Sequence, residues 1–165
     1  MKRHSSFWVV VGSIFLFAGC NKGEVFFRFH QIENSVWDKN SPIVFDTGSM
    51  DVSPSKYCDV SVEITSNGAY PYQNIWLFIE QNLQDSLMHT DSLEIQLADS
   101  NRKWLGSKVG ELCQLSIPYI RSVQLDSAKS YRLQIRQGMS DEKLKGIEKI
   151  GIKIMKSGFP NKAQS

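Results

Sequence analysis

The pattern of apolar and polar residues alternates with a period of two over much of the chain, which predicts β-strands. The clearest example is Tyr57 to Thr65, where Val60, Val62 and Ile64 face one way and polar residues face the other. Similar alternation recurs around Phe27, Leu93, Leu115, Leu133 and Ile152, with turn residues between the runs. Short alternating segments at this spacing are typical of all-β proteins. We therefore predict a single antiparallel β-sandwich, jelly-roll-like, over residues 25–156.

Four features depart from the simple alternation. Residues 32–42 are predicted as a loop, and Ser140 is predicted to cap one helical turn that ends at Gly146. Pro118 indicates that its strand lies at an edge or ends there. The strand from Ile75 to Glu80 is apolar on both faces, so one face fits the core and the other needs a cover.

The first twenty residues have a different pattern. Lys2 and Arg3 precede an apolar or small run of about 12 residues, Phe7 to Ala18, and Gly19 and Cys20 follow. This is the arrangement of a secretory signal peptide. With a cysteine directly after the small residues, it resembles a bacterial lipoprotein signal that is cut before Cys20, the residue that would carry the lipid. The run is shorter than the roughly 20 residues that a transmembrane helix needs, so a retained transmembrane helix is the weaker alternative. We expect residues 1–19 to be a leader, 20–24 a tether and 157–165 a flexible tail.

The charge of the chain changes when this leader is removed. The full chain has 19 basic and 17 acidic residues, and Lys2 and Arg3 are the charged residues of the leader, so 19 − 2 = 17 basic residues balance 17 acidic ones. A neutral domain lacks the basic surface that nucleic-acid binding requires.

Cys58 and Cys113 are the remaining cysteines of a chain expected to leave the cytoplasm, where a disulfide is permitted. A bridge between them would close a loop of roughly 55 residues and stabilise the fold by about 4 kcal/mol. The alternative is two buried thiols that never meet, since both lie in apolar strand patterns.

Residues that could support catalysis or metal binding are sparse. His30 and His89 are the histidines after the leader, and they form no cluster with cysteine at metal-ligand spacing. The carboxylates Asp91, Glu94 and Asp99 could ligate calcium, but a solvated strand face and a turn cap explain them better. We expect no enzyme activity, no metal and no cofactor.

Aromatic residues are the better candidates for a binding surface. Tyr70, Tyr72, Trp76 and Trp104, with Phe78, lie around one strand and one turn. They could anchor a protein partner or stack against sugars, or Trp76 and Phe78 could fill the second face of a sandwich. The sugar-binding alternative would make the chain a lipid-anchored carbohydrate-binding module, and it rests on fold analogy.

Three stretches resemble a known family, the gliding-motility lipoproteins called GldH of the Bacteroidota. They are Tyr70 to Ile79, Asp91 to Gly106, and Gln137 to Ile154, which contains Gln137-Gly138-Met139 and Ile150-Gly151-Ile152-Lys153-Ile154. The chain departs from the family at Ser140, where arginine is expected, and at Lys149, where an acidic residue is expected.

The resemblance implies a cell-envelope lipoprotein that serves gliding motility and the linked type IX secretion machinery, without known catalytic activity. Cys20 would carry the lipid, and the partners would be envelope proteins of that machinery. Surface lipoproteins of this phylum tend to have a run of acidic residues just after the cysteine, whereas here a single acidic residue, Glu24, closely follows Cys20. We therefore expect the periplasmic face of the outer membrane rather than the cell surface.

Overall fold

The computed structural model describes residues 23–158, so the expected leader, Cys20 and nearly all of the expected tail lie outside the described residues. Within that range the chain forms eleven strands and a 3-10 turn at Glu33–Ser35. The strands are β1 (Glu24–Gln31), β2 (Val36–Asp38), β3 (Ile43–Asp46), β4 (Tyr57–Ser66), β5 (Asn74–Gln81), β6 (His89–Gln96), β7 (Ser107–Val109), β8 (Leu112–Gln124), β9 (Arg132–Gln137), β10 (Lys143–Lys145) and β11 (Ile147–Lys156).

Two antiparallel sheets make up the sandwich. The first sheet has the order β1-β11-β4-β8-β7 and the second has the order β3-β9-β5-β6. Apart from the short strands β2, β7 and β10, the remaining eight alternate between the sheets except at the β5–β6 hairpin, which is the order of a jelly roll. The predicted fold class is confirmed.

The core lies between the sheets and is built from the inward-facing residues of the predicted alternation. In the first sheet these include Val60, Val62, Ile64 and the isoleucines of β11, and in the second sheet Ile75, Leu77, Ile79, Leu133 and Ile135. Each of these side chains is 1% exposed or less. Burial of such side chains contributes about 1.5–3 kcal/mol each, which makes this interface the main source of stability.

The polar face of β4 is enclosed as well. Ser61, Glu63 and Thr65 are buried, because β4 lies in the middle of its sheet between β11 and β8. Glu63 Oε1 accepts hydrogen bonds from the hydroxyls of Ser61 at 2.9 Å and Ser116 at 2.7 Å. These hydrogen bonds compensate for removing the carboxylate from water.

The strand directions give the sandwich two distinct ends. At the near end the described chain begins: the Lys156 amide donates to the Gly23 carbonyl, and the Ser157 amide donates to the Tyr57 carbonyl where β4 starts. At the far end lie the β4–β5 connection and the turn at Gly146, joined by a hydrogen bond from the Asn67 amide to the Gly146 carbonyl. The nine residue steps of β4 separate the two ends by about 30 Å.

Two local predictions are wrong. The segment from Ser140 to Gly146 is not a helical turn, since Lys143–Lys145 forms β10 and pairs with β2, inside the segment predicted as loop. In this ladder Leu144 lies opposite Trp37, and both are buried. The capping signal at Ser140 is a local preference, and burial of these two side chains outweighs it.

The prediction for Pro118 is confirmed in part. β8 continues through Pro118 to Gln124, so the proline does not end the strand. β7 pairs with β8 only as far as Gln114, which leaves β8 as the edge of the sheet at Pro118. Proline is tolerated at an edge because its missing N–H removes no ladder hydrogen bond there.

Candidate functional site

The candidate site is the aromatic corner, defined as Tyr70, Tyr72 and Trp104 at the far end. The β4–β5 connection positions its two tyrosines. Asn67 shapes the turn, since its side-chain oxygen accepts from the Ala69 amide at 2.8 Å and its carbonyl accepts from the Tyr70 amide at 3.2 Å. The Tyr70 hydroxyl donates to the Asn74 carbonyl at 2.7 Å. The connection is therefore fixed by hydrogen bonds at the backbone amide and at the side-chain hydroxyl of Tyr70.

Gly146 fixes the position of Tyr70 from the other side. Its φ is +85°, and a Cβ there would lie closer than 3.0 Å to the Tyr70 nitrogen and Cα. Glycine adopts this φ readily and has no side chain to clash. The turn before β11 can therefore pack directly against the backbone that carries Tyr70.

Trp104 reaches the corner from the turn after β6. Asp99 Oδ1 accepts from the amides of Asn101 and Lys103, each at 2.9 Å, as predicted for a turn-capping carboxylate. Trp104 then pairs with Ala98 in an isolated bridge. The Tyr70 ring centroid lies 6.1 Å from that of Trp104 and 5.9 Å from that of Tyr72. These separations are typical of tilted and edge-to-face aromatic contacts.

Asp141 holds the third ring. The Tyr72 hydroxyl donates to the Asp141 carboxylate at 3.0 and 3.1 Å. This hydrogen bond raises the pKa of Tyr72 above its ordinary value, because it stabilises the protonated phenol. Burial raises the pKa of Tyr70 in the same direction. Both phenols are therefore neutral donors at physiological pH, not bases or nucleophiles.

The loop that carries Asp141 is itself fixed to the second sheet. Gln137 donates from Nε2 to the Asp141 carbonyl at 2.7 Å and accepts at Oε1 from the Met139 amide at 2.8 Å. The Trp76 amide contacts the Met139 sulfur at 3.3 Å. The three stretches that carry the family resemblance thus meet at this corner.

The corner surrounds a shallow cleft of about 320 Å³. Its walls come from the tyrosine connection and the Trp104 turn, and Arg102 stands at its side. Tyr70 is only 4% exposed, whereas Tyr72 and Trp104 are half-buried. The cleft offers ring edges and a guanidinium to a bound group, which suits contact with a partner rather than a reaction.

Trp76 is separated from the other three predicted aromatics. It lies with Phe78 on the outer face of the second sheet, and neither residue lines the cleft. Trp76 is 39% exposed, and the Phe78 ring covers Gly138, where a Cβ would lie 2.9 Å from the ring. We expected another part of the chain to cover this face of β5, but Trp76 and Phe78 remain partly exposed. The predicted aromatic residues therefore divide into the aromatic corner and a separate surface on β5.

Cys58 and Cys113 are free thiols, so the alternative of a disulfide between them is wrong. Cys113 lies opposite Ser66 at the far end of β4, and Cys58 lies eight residues earlier on that strand. That spacing is about 26 Å, whereas a disulfide requires Cα atoms within roughly 7 Å. Burial raises the pKa of Cys58 to about 11, and it also raises the pKa of Cys113, whose Sγ donates to the Leu105 carbonyl at 2.8 Å.

The other candidate ligands are dispersed. In residues 23–158 no group of three or more histidine, cysteine or carboxylate side chains is placed to hold a metal ion. Asp91 accepts a short hydrogen bond from the Tyr119 hydroxyl of the opposite sheet, and Glu94 accepts from Asn74 at 2.6 Å. No helix in the same range is long and apolar enough to cross a membrane.

Sequence reasoning missed Asp141 and Gly146 as parts of the corner, and Tyr119 as the partner of Asp91. Asp141 is 69 residues from Tyr72, and Tyr119 is 28 residues from Asp91. A pattern within a short stretch of sequence cannot predict contacts between residues so far apart in the chain. The adjacency of Tyr70, Tyr72 and Trp104 to turns was the available signal, and it located the corner.

Comparison with known proteins identifies the family. The GldH lipoprotein family matches residues 24–154. The gliding motility lipoprotein GldH homolog of Christiangramia forsetii is 27% identical over 95% of this chain and 99% of its own. The gliding motility lipoprotein GldH of Flavobacterium johnsoniae is 26% identical over 93% of this chain and 98% of its own. No solved structure matches. Because the family match spans nearly the whole described sandwich, this chain belongs to the GldH lipoprotein family.

Proposed function

We propose that this protein is a non-catalytic component of the cell envelope that serves gliding motility and the linked type IX secretion machinery. A lipid on Cys20 holds the sandwich at the periplasmic face of the outer membrane, and its exposed aromatic surfaces bind envelope proteins. The observation that carries the proposal is the family match over residues 24–154, with relatives named as gliding motility lipoproteins over nearly their full length.

The geometry of the aromatic corner supports a binding role. The hydroxyls of Tyr70 and Tyr72 are already donated to Asn74 and Asp141, so the rings are rigid. A rigid, partly exposed aromatic group loses little conformational entropy when a partner covers it, which is why such groups dominate interface hot spots. Trp76 and Phe78 provide a second apolar surface of this kind on the outer face of β5.

The anchor is tested with Cys20→Ala in a strain that lacks the chromosomal copy. We expect the variant to accumulate folded in the soluble periplasmic fraction and to restore neither colony spreading nor secretion of type IX cargo. The wild-type chain in the same strain is the control. Full membrane retention of the variant would contradict the tether.

The partner is tested by a photo-crosslinking residue at Arg102, beside the cleft, in intact cells. We expect gliding or type IX secretion components among the crosslinked proteins. A matched probe at Lys129, near the opposite end, is expected to give a different set. If Arg102 captures no protein and the purified chain is retained on envelope polysaccharide, the carbohydrate-binding alternative replaces this proposal.

A further inference from the structure

Leu87, Met88 and Tyr57 are exposed apolar side chains at the near end of the sandwich. Leu87 and Met88 are the last two residues of the β5–β6 loop, and they are 70% and 49% exposed. Tyr57, at the first position of β4, is 51% exposed. Single exposed apolar side chains are common on protein surfaces, so what distinguishes these three is their position relative to the start of the described chain.

The loop and the start of β4 belong to one surface. A polar cleft of about 420 Å³ is lined both by Lys56, which precedes Tyr57, and by Ser86, which precedes Leu87. Lys129 lines the same cleft, and it is exposed, as is Lys56; the carboxylates of Asp85 and Asp126 line the cleft as well. The near end therefore combines protruding apolar side chains with lysines beside them.

The end of the β5–β6 loop is shaped by hydrogen bonds of Asp85. Asp85 accepts from the Leu87 amide at 2.8 Å and pairs with the His89 ring at 2.9 Å. The carboxylate thereby closes the turn on its polar side. The side chains of Leu87 and Met88 are left projecting from the fold.

The length of chain before the described residues ties this end to the lipid. Cys20 precedes Gly23 by three residues, which span at most about 11 Å. Gly23 is hydrogen-bonded to Lys156, and the next residue, Ser157, is hydrogen-bonded to Tyr57. Once Cys20 is anchored in a bilayer, the near end cannot move far from the headgroups.

We propose that Leu87, Met88 and Tyr57 sit in the headgroup region of the bilayer that holds the Cys20 lipid. This inference rests on the proposed lipid anchor. Leucine and methionine favour the boundary with the acyl chains, and tyrosine is enriched at membrane interfaces, where its ring is buried and its hydroxyl is hydrated. Lys56 and Lys129 lie at the level of the phosphates. The near end thus faces the membrane, and the aromatic corner faces away from it.

The test uses the full lipidated chain in vesicles of phosphatidylethanolamine and phosphatidylglycerol that contain a nitroxide-labelled lipid. Leu87→Cys carries a fluorophore, and Val109→Cys, exposed to 58% on the far-end strand β7, is the matched control. The parent protein, treated with the same fluorophore, measures the background labelling of Cys58 and Cys113. We expect a severalfold loss of fluorescence at position 87, little loss at position 109, and a loss at Tyr57→Cys that confirms the face.

Equal quenching at positions 87 and 109 would overturn the proposal, as would stronger quenching at 109. Protection of position 87 from a water-soluble quencher without quenching by the lipid would indicate a protein occupant and would also overturn it. Flotation of the vesicles reports the anchor separately. Protein that floats without quenching at 87 refutes this inference alone, whereas protein that does not float refutes the anchor and this inference together.

Discussion

The near end and the far end of the sandwich use similar residue types in opposite ways. At the far end, Tyr70 is buried against Trp104 and donates its hydroxyl to Asn74. At the near end, Tyr57 begins β4 and is half exposed. The difference shows that the Tyr70 ring contributes to the internal order of the fold, whereas the Tyr57 ring is available to an external surface.

The largest expected effect comes from the glycine that supports the aromatic corner. Gly146→Val should lower the free energy of unfolding by about 4 kcal/mol, because it adds a clash with the Tyr70 backbone to an unfavourable φ. Gly48→Ala, near the other end, has a φ of +63° and nothing within 4 Å of the new Cβ, so it should cost about 1–2 kcal/mol. Urea unfolding of both variants measures the contrast, and equal losses would contradict it.

A pair of tyrosine truncations compares the ends directly. Tyr70→Ala should cost about 3–5 kcal/mol, since it removes a buried ring and leaves a cavity. Tyr57→Ala should change the free energy of unfolding by no more than about 0.5 kcal/mol in detergent-free, membrane-free solution. If Tyr57→Ala proved as damaging as Tyr70→Ala, the near end would be part of the core rather than a free surface.

A smaller effect is expected where the two sheets are joined. Tyr119→Phe removes the hydrogen bond that the β8 hydroxyl donates to Asp91 on β6. The loss should be about 2 kcal/mol, the size expected for a hydrogen bond to a charged group. Thermal unfolding would detect it, and Tyr57→Phe, at an exposed ring, serves as the control with little expected change.

The smallest effect is a change in pH dependence. Cys58 has a pKa of about 11 in the fold against 9.0 unfolded, mainly because of burial. Above pH 9 the unfolded thiol loses its proton first, so the free energy of unfolding should fall between pH 9 and 11 and be unaffected below. Urea unfolding at each pH measures this decline. The free energy of unfolding should fall less steeply with pH in Cys58→Ala than in Cys113→Ala. If the free energy of unfolding of Cys58→Ala fell with pH as steeply as that of the parent protein, the folded state would not raise the pKa of the Cys58 thiol.

The alternation of apolar residues was sufficient to predict the sandwich and its inward-facing side chains. Val60, Val62 and Ile64 are buried as their spacing indicates, because a period of two places alternate side chains on one face of a sheet. The β2–β10 ladder could not be predicted in this way. Each of its strands has three residues, and only their mutual contact, Trp37 with Leu144, distinguishes them from loop and helix.

The candidate site was predictable only in part, for a related reason. Turn-adjacent aromatics indicated Tyr70, Tyr72 and Trp104, but Trp76 belongs to another face, and Asp141 enters from a distant loop. The possible disulfide is excluded by the register of the strands. Cys58 and Cys113 both fit apolar strand patterns, and only the pairing of β4 with β8 reveals that they occupy opposite ends.

Under the proposed lipid anchor, the position of β1 has a mechanical consequence. β1 is the edge strand of the first sheet, joined to β11 in register from Glu24 opposite Met155 to Gln31 opposite Lys149. A pull on the lipid along the strand axis loads these hydrogen bonds together in shear, which resists rupture. A pull perpendicular to the sheet edge loads them one pair at a time, starting at Glu24. The direction of force at the membrane therefore decides whether the sandwich behaves as a rigid link or peels open from its first strand.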